Sequence, residues 1–106
     1  MENLILKEMK AEIFNQYASE IAHIFDINEE DLFIKSKKRD IVDARFLLYY
    51  ICHKRPMRLV NIQRYMKGRG YDIFHNNILY GIKTAKKRAR RDKDYAKIIK
   101  ALQNEA

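Results

Sequence analysis

From about Asn3 to Phe25, Leu6, Met9, Ile13, Tyr17, Ile21 and Ile24 recur at steps of three and four, while Lys7, Lys10, Glu12 and Glu20 fall elsewhere on the cylinder. That is the period of a helix with one apolar face, either continuous or broken near Asn15. In "FDINEEDLF", Asn28 is the expected N-cap of a short helix, and Glu29, Glu30 and Asp31 complement its positive end. Their spacing fits no calcium loop. After the polar "KSKKRD", Ile41–Lys54 is a strongly apolar helix with Phe46, Leu47, Tyr50 and Ile51 inward, and Cys52 and His53 on or beside that face. It ends ahead of Pro56, because a residue preceding proline avoids helical dihedrals.

A short helix follows over Leu59–Lys67, with Leu59, Ile62 and Met66 inward and Gly68 in the left-handed position that closes it. From about Asp72 to Arg90, Phe74, Ile78, Ile82, Ala85 and Ala89 form an inward stripe, and Asn76, Tyr80, Lys83 and Lys87 lie opposite. A last helix over Tyr95–Leu102 packs Tyr95, Ile98, Ile99 and Leu102. Strict alternation of β-branched residues is absent, and three glycines and one proline leave few breaks. The expected fold is all-α: a compact helical bundle in which 59–67, a glycine turn and 72–90 form a helix-turn-helix.

Composition narrows the function. The 106 residues suffice for one domain, 47% are hydrophobic and 34% charged, and the net charge of +8 favours a polyanionic partner, nucleic acid first. A lone Cys52 excludes an internal disulfide and a cysteine zinc site. The longest apolar run, Phe46–Cys52, is far short of the roughly 20 residues a bilayer requires. "MENLILKEMK" carries acids and bases, unlike a secretory signal. A soluble protein of the cytoplasm is expected. His23, His53 and His75 fall on different helices, and no acid pair, nucleophile motif or metal spacing joins them. The expectation is no enzyme, no cofactor, no metal and no small-molecule substrate.

The charge is also patterned. Lys35, Lys37, Lys38 and Arg39 make one basic loop, and Lys83, Lys86, Lys87, Arg88, Arg90 and Arg91 make a second patch at the end of the 72–90 helix. Asparagine can pair with adenine edges, and lysine with guanine or phosphate. Two basic patches flanking an amide-rich helix start suit a duplex, since phosphate contacts position a protein and base contacts give it specificity.

In order along the chain, "YASEIAHIFDINEEDLFIKSKKRDIVDARFLLYYI", "LVNIQRYM" and "FHNNILYGIKTAKK" are similar to the first helix, basic loop, core helix and helix-turn-helix of one family. Over roughly Asn15–Leu102 the chain resembles the C-terminal DNA-binding domain of the bacterial replication initiator DnaA, of the Trp-repressor-like group. The resemblance divides the chain into a helical extension, 1–14, and a DNA-binding domain, 15–106. It implies a minor-groove contact for Arg39, a phosphate contact for Arg45, and base reading by His75, Asn76 and Asn77, which stand where the family has His-Thr-Thr. Arg69, Tyr80, Lys83, Lys86 and Lys87, with the loop lysines, complete the expected DNA-facing set. The chain departs from the family at Phe74, where the family has aspartate, at both asparagines, and at the inserted "GYDI". The apolar contact to a thymine methyl made by threonine is lost, so a target other than the family's usual box is expected. No G-x-x-x-x-G-K-[ST] loop is present. The expectation is a stand-alone double-stranded-DNA-binding module, a transcription or replication regulator of a phage or mobile element. The amphipathic face of residues 1–14 is either core cover or a dimerisation or partner helix, and a homodimer or protein-partner contact is expected, if any, through residues 1–25. The alternatives are an RNA-binding helical protein and a virion or structural protein whose basic surface meets an acidic partner.

Overall fold

The computed structural model describes residues 4–104, with side-chain surroundings from residue 9 onward. Helix α1 spans Leu4–Ile24, α2 Arg39–Lys54, α3 Leu59–Gly68, α4 His75–Arg91 and α5 Lys93–Asn104, with a 3-10 turn, Glu29–Phe33, between α1 and α2. Among the described residues there is no strand. The fold is all-α, as expected.

Helix α1 is continuous through Phe14 and Asn15. Its buried face is Phe14, Tyr17, Ala18, Ile21 and Ala22, whereas Met9 and Ile24 of the expected stripe are exposed. Two of the true face positions are alanines, which a search for large apolar residues passes over. Leu6 and Lys7 lie outside the described side chains. Phe14 meets the rings of Tyr65 and Phe33 at 5.4 and 6.2 Å. It joins the same buried cluster as α2 to α5, so α1 belongs to the body that presents α4. The helix ends on Asp26, in left-handed backbone with φ 55°. The Ile27 N–H donates to Ala22 O at 3.0 Å and the Asp26 N–H to His23 O at 3.2 Å, the pair of bonds that closes many helices, here without glycine. Asn28 precedes the 3-10 turn but makes no side-chain cap. Its carbonyl serves instead, accepting from Asp31 N–H at 3.0 Å.

Helix α2 is the central element and packs against every other helix and the 3-10 turn. Its buried set is broad: Ile41, Ala44, Arg45, Leu47, Leu48, Tyr49, Ile51 and Cys52. Leu48 and Tyr49 take the full burial expected of Phe46 and Tyr50, which are half-buried. A helix surrounded on most sides has no single stripe to read.

Helix α3 includes Gly68, and the left-handed position is Gly70, φ 100°. The Gly70 N–H donates to Lys67 O and the Tyr71 N–H to Met66 O, both at 3.0 Å. Ile73 then drops into the core, and its carbonyl accepts from Gln63 Nε2 at 2.8 Å. This keeps the chain extended through Phe74, so α4 begins at His75 rather than near Asp72. Ile78, Gly81, Ile82 and Ala85 are buried and Ala89 half-buried. Phe74, expected at the head of that stripe, is 75% exposed. A side chain added at Gly81 would lie 2.7 Å from the Phe46 ring and 2.9 Å from the Tyr49 ring, so glycine lets α4 lie directly on α2. Asp92 joins α4 to α5 as a cap: its Oδ1 accepts from the N–H groups of Asp94 and Tyr95 at 3.0 and 3.1 Å. Among the described residues no helix is long and apolar enough to cross a membrane.

Candidate nucleic-acid interface

Helix α4 packs on α2, α5 and α3, and the side turned away from them faces outward. His75, Asn76, Asn77, Tyr80, Lys83, Lys86, Lys87, Arg90 and Arg91 are all exposed. From His75 to Arg91 the helix carries lysine and arginine at six positions and no carboxylate. Cations in the last turn also suit the negative end of the helix dipole, which accounts for Arg88, Arg90 and Arg91 but not for Lys83. Among the described residues no carboxylate pairs with Lys83, Lys86, Lys87, Arg90 or Arg91. The Tyr80 ring stands edge-on to Phe46 at 5.8 Å, and the Thr84 hydroxyl donates to the Tyr80 carbonyl at 2.8 Å.

Arg39, the first residue of α2, comes to this face from far away in sequence. A groove of about 590 Å³ is lined by Arg39, Asp43, Tyr80, Thr84, Lys87, Arg88, Arg91 and Asp92. The Arg39 side chain is 90% exposed and only loosely paired with Asp43, at 3.9 Å. Lys38 and Arg39 also border a second groove, of about 570 Å³, with Asp26, Asn28, Asp31 and Asp40. Lys35 and Lys37 are exposed on the strap leading to α2, and Ser36 Oγ accepts from Lys38 N–H at 3.1 Å, folding that strap locally.

Two expected contacts do not fit this geometry. Arg45 is 4% exposed. Its Nε donates to Leu32 O at 2.8 Å, and its Nη2 donates to Ile34 O at 2.6 Å and Asp31 O at 3.4 Å. It lies 4.5 Å from the Tyr71 ring centre. A guanidinium enclosed this way ties the 3-10 turn to α2 and is shut off from a phosphate at the surface by its burial. Arg69 is likewise committed: its Nη2 donates to Glu29 at 2.8 Å and Glu30 at 3.1 Å, its Nη1 to Asn15 Oδ1 at 2.8 Å, and it stacks 4.1 Å over Phe33. It straps the α3–α4 turn to α1 and the 3-10 turn. Arg88 of the second basic patch is held by Asp43 and stacks 4.7 Å over Tyr95.

The remaining chemistry is sparse. His23, His53 and His75 are exposed on α1, α2 and α4. Among the described residues no group of three potential metal ligands converges. Burial pushes the Cys52 thiol up, away from the reactive thiolate. Burial also pushes the Tyr49 phenol up, against the opposing charge of Arg45 and with a smaller upward push from Tyr71. Sequence reasoning missed Asp43, which organises the groove wall, and the exposure of Phe74. The spacing of Arg39 and Asp43 hinted at the former. Nothing local hinted at its contact with Arg88.

No protein-family model matches the chain, and no curated protein matches it significantly.

Proposed function

We propose that this protein binds double-stranded DNA, laying the outer face of α4 in the major groove and touching the flanking backbone with Arg39 and the loop 35–39. The observation that carries this reading is the groove where Arg39 of α2 meets Tyr80, Lys87 and Arg91 of α4. Its two carboxylates are engaged internally: Asp43 with Arg88, and Asp92 with Arg88 and the first turn of α5. The outward charge is therefore positive, and the amides of Asn76 and Asn77 stand at the helix start, where such helices read base edges. The resemblance to the DnaA C-terminal domain supports the same docking, with Arg45 and Arg69 removed from the contact set. On this reading the module is a regulator of transcription or replication rather than an enzyme.

The test is a binding selection from random duplex DNA, followed by titration of the enriched duplex across salt. One enriched motif, weakened about 5- to 150-fold by Asn76→Ala, is the expected result, the range that 1–3 kcal/mol of base discrimination gives. Salt-steep binding without enrichment would make it a coating protein. Tighter binding to structured RNA at equal salt, or no salt-dependent duplex binding, would sink the proposal.

A further inference from the structure

Phe74 sits immediately before α4 with most of its ring in solvent, the most exposed of the large apolar side chains described. Its backbone is held firmly. The Phe74 carbonyl accepts from Asn77 N–H at 3.1 Å and Ile78 N–H at 3.3 Å, and the preceding Ile73 is buried with its carbonyl bound by Gln63. Among the described residues no aromatic or cationic group stacks on its ring. A rigidly presented phenylalanine left in water forgoes the free energy its burial would give the fold. It adjoins His75, Asn76 and Asn77, all exposed, at the head of a helix that carries no carboxylate. The surface it belongs to thus combines hydrogen-bonding amides, one large apolar ring and positive charge.

In the major groove, the one apolar group that base edges offer is the C5 methyl of thymine, and phenylalanine is among the side chains that cover it. We infer that Phe74 is a specificity-determining residue that packs on a thymine methyl beside the bases read by Asn76 and Asn77. This rests on the duplex-reading proposal above. It replaces the expectation that the chain lacks an apolar contact to thymine: the contact moves from the family's threonine positions to the residue ahead of the helix.

Wild-type protein and Phe74→Ala are titrated against the duplex enriched by selection, and against the same duplex with deoxyuridine replacing each thymidine in turn. Deoxyuridine differs only by the missing methyl. One thymidine should matter to the wild type by about four-fold, the value of one buried methyl-sized group. Phe74→Ala should bind the thymidine duplex at least four-fold more weakly than wild type and should not distinguish the two duplexes. Phe74→Leu, which keeps an apolar surface, should retain part of the discrimination. Because the ring is exposed, both variants should melt with the wild type. Losses from Phe74→Ala that are the same on both duplexes, no loss at all, or an enriched motif without thymine would each overturn the inference and leave duplex reading standing. Failure of the wild type to bind any duplex would overturn both.

Discussion

Arg88 of α4 donates through Nη1 to the Asp43 carboxylate of α2, across the seam that forms one wall of the groove. Burial works against the Arg88 charge, but the hydrogen bond and charge of Asp43 outweigh it, with Tyr95 and Asp92 adding, and its pKa rises. The pair fixes how α4 rolls on α2. It also withholds one cation of α4 from any outside anion. Asp43 therefore acts twice, as a strut of the fold and as a brake on the basic face.

Asp43→Asn tests both roles. The amide can still accept from Arg88 but no longer neutralises it or Arg39. Because the pair is partly exposed, the stability loss should be about 1 kcal/mol, read from urea unfolding. Duplex affinity should rise, and the slope of log K against log salt should steepen by about one unit as Arg88 becomes available to phosphate. An unchanged slope would show that Arg88 lies outside the phosphate footprint.

Arg45→Ala separates a structural guanidinium from a DNA-contacting one. Removing it strands the carbonyls of Leu32 and Ile34, which it meets at 2.8 and 2.6 Å. A cost of about 3 kcal/mol is expected, because hydrogen bonds to charged donors are worth about 1.5–3 kcal/mol each. Under conditions where the variant is still folded, its salt slope should match the wild type. A stable variant with a flatter slope would restore Arg45 to the interface.

The helices were legible in the sequence where one face is buried and the other wet. The Ile78, Ile82, Ala85 spacing of α4 and the Ile62, Met66 spacing of α3 emerge as predicted. The turns were less legible. Asp26 closes α1 in left-handed backbone that glycine usually supplies, and Gly70 rather than Gly68 closes α3 because the carbonyl pattern, not residue type alone, selects the position. Within the candidate site, the outward row of α4 followed from helical period. The roles of Arg45, Arg69 and Arg88 did not, since their partners Leu32, Glu29 and Asp43 lie on other elements, and no local pattern tells a paired arginine from a free one.

Stability should fall in alkali. Burial raises the Tyr49, Tyr95 and Cys52 groups above ordinary values of 10.0 for a phenol and 9.0 for a thiol. For Tyr95 the charge of Arg88 opposes the shift, and Asp43, Tyr50 and Asp92 add to it. Folded-state pKa values raised above unfolded ones mean stability that is fully present below about pH 9 and lost as pH climbs, because the unfolded chain releases protons that the folded chain keeps. Melting temperature should be level from neutrality to about pH 9 and then decline; a flat profile through pH 11 would contradict this. Tyr49→Phe should soften the decline. It should also gain about 1 kcal/mol at neutral pH, since the buried Tyr49 hydroxyl has no hydrogen-bond partner.

Gly81→Ala sets helix propensity against packing. In an exposed helix the change would gain about 1 kcal/mol. Here the new methyl would stand 2.7 Å from the Phe46 ring and 2.9 Å from the Tyr49 ring, closer than such atoms can approach. Tyr49 is fully buried and has nowhere to move, while Phe46 is half-buried and can swing outward. Overpacking typically costs about 1–3 kcal/mol, so the net result should be a loss of about 1 kcal/mol in urea unfolding. A swing of Phe46 also takes away the ring against which Tyr80 stands edge-on at 5.8 Å, within the basic groove. Duplex affinity should therefore fall more than stability alone explains, and Phe46→Leu placed in the Gly81→Ala background should restore stability without restoring affinity. If Gly81→Ala instead raised stability and left binding intact, the close seating of α4 on α2 would not be what aims the basic face.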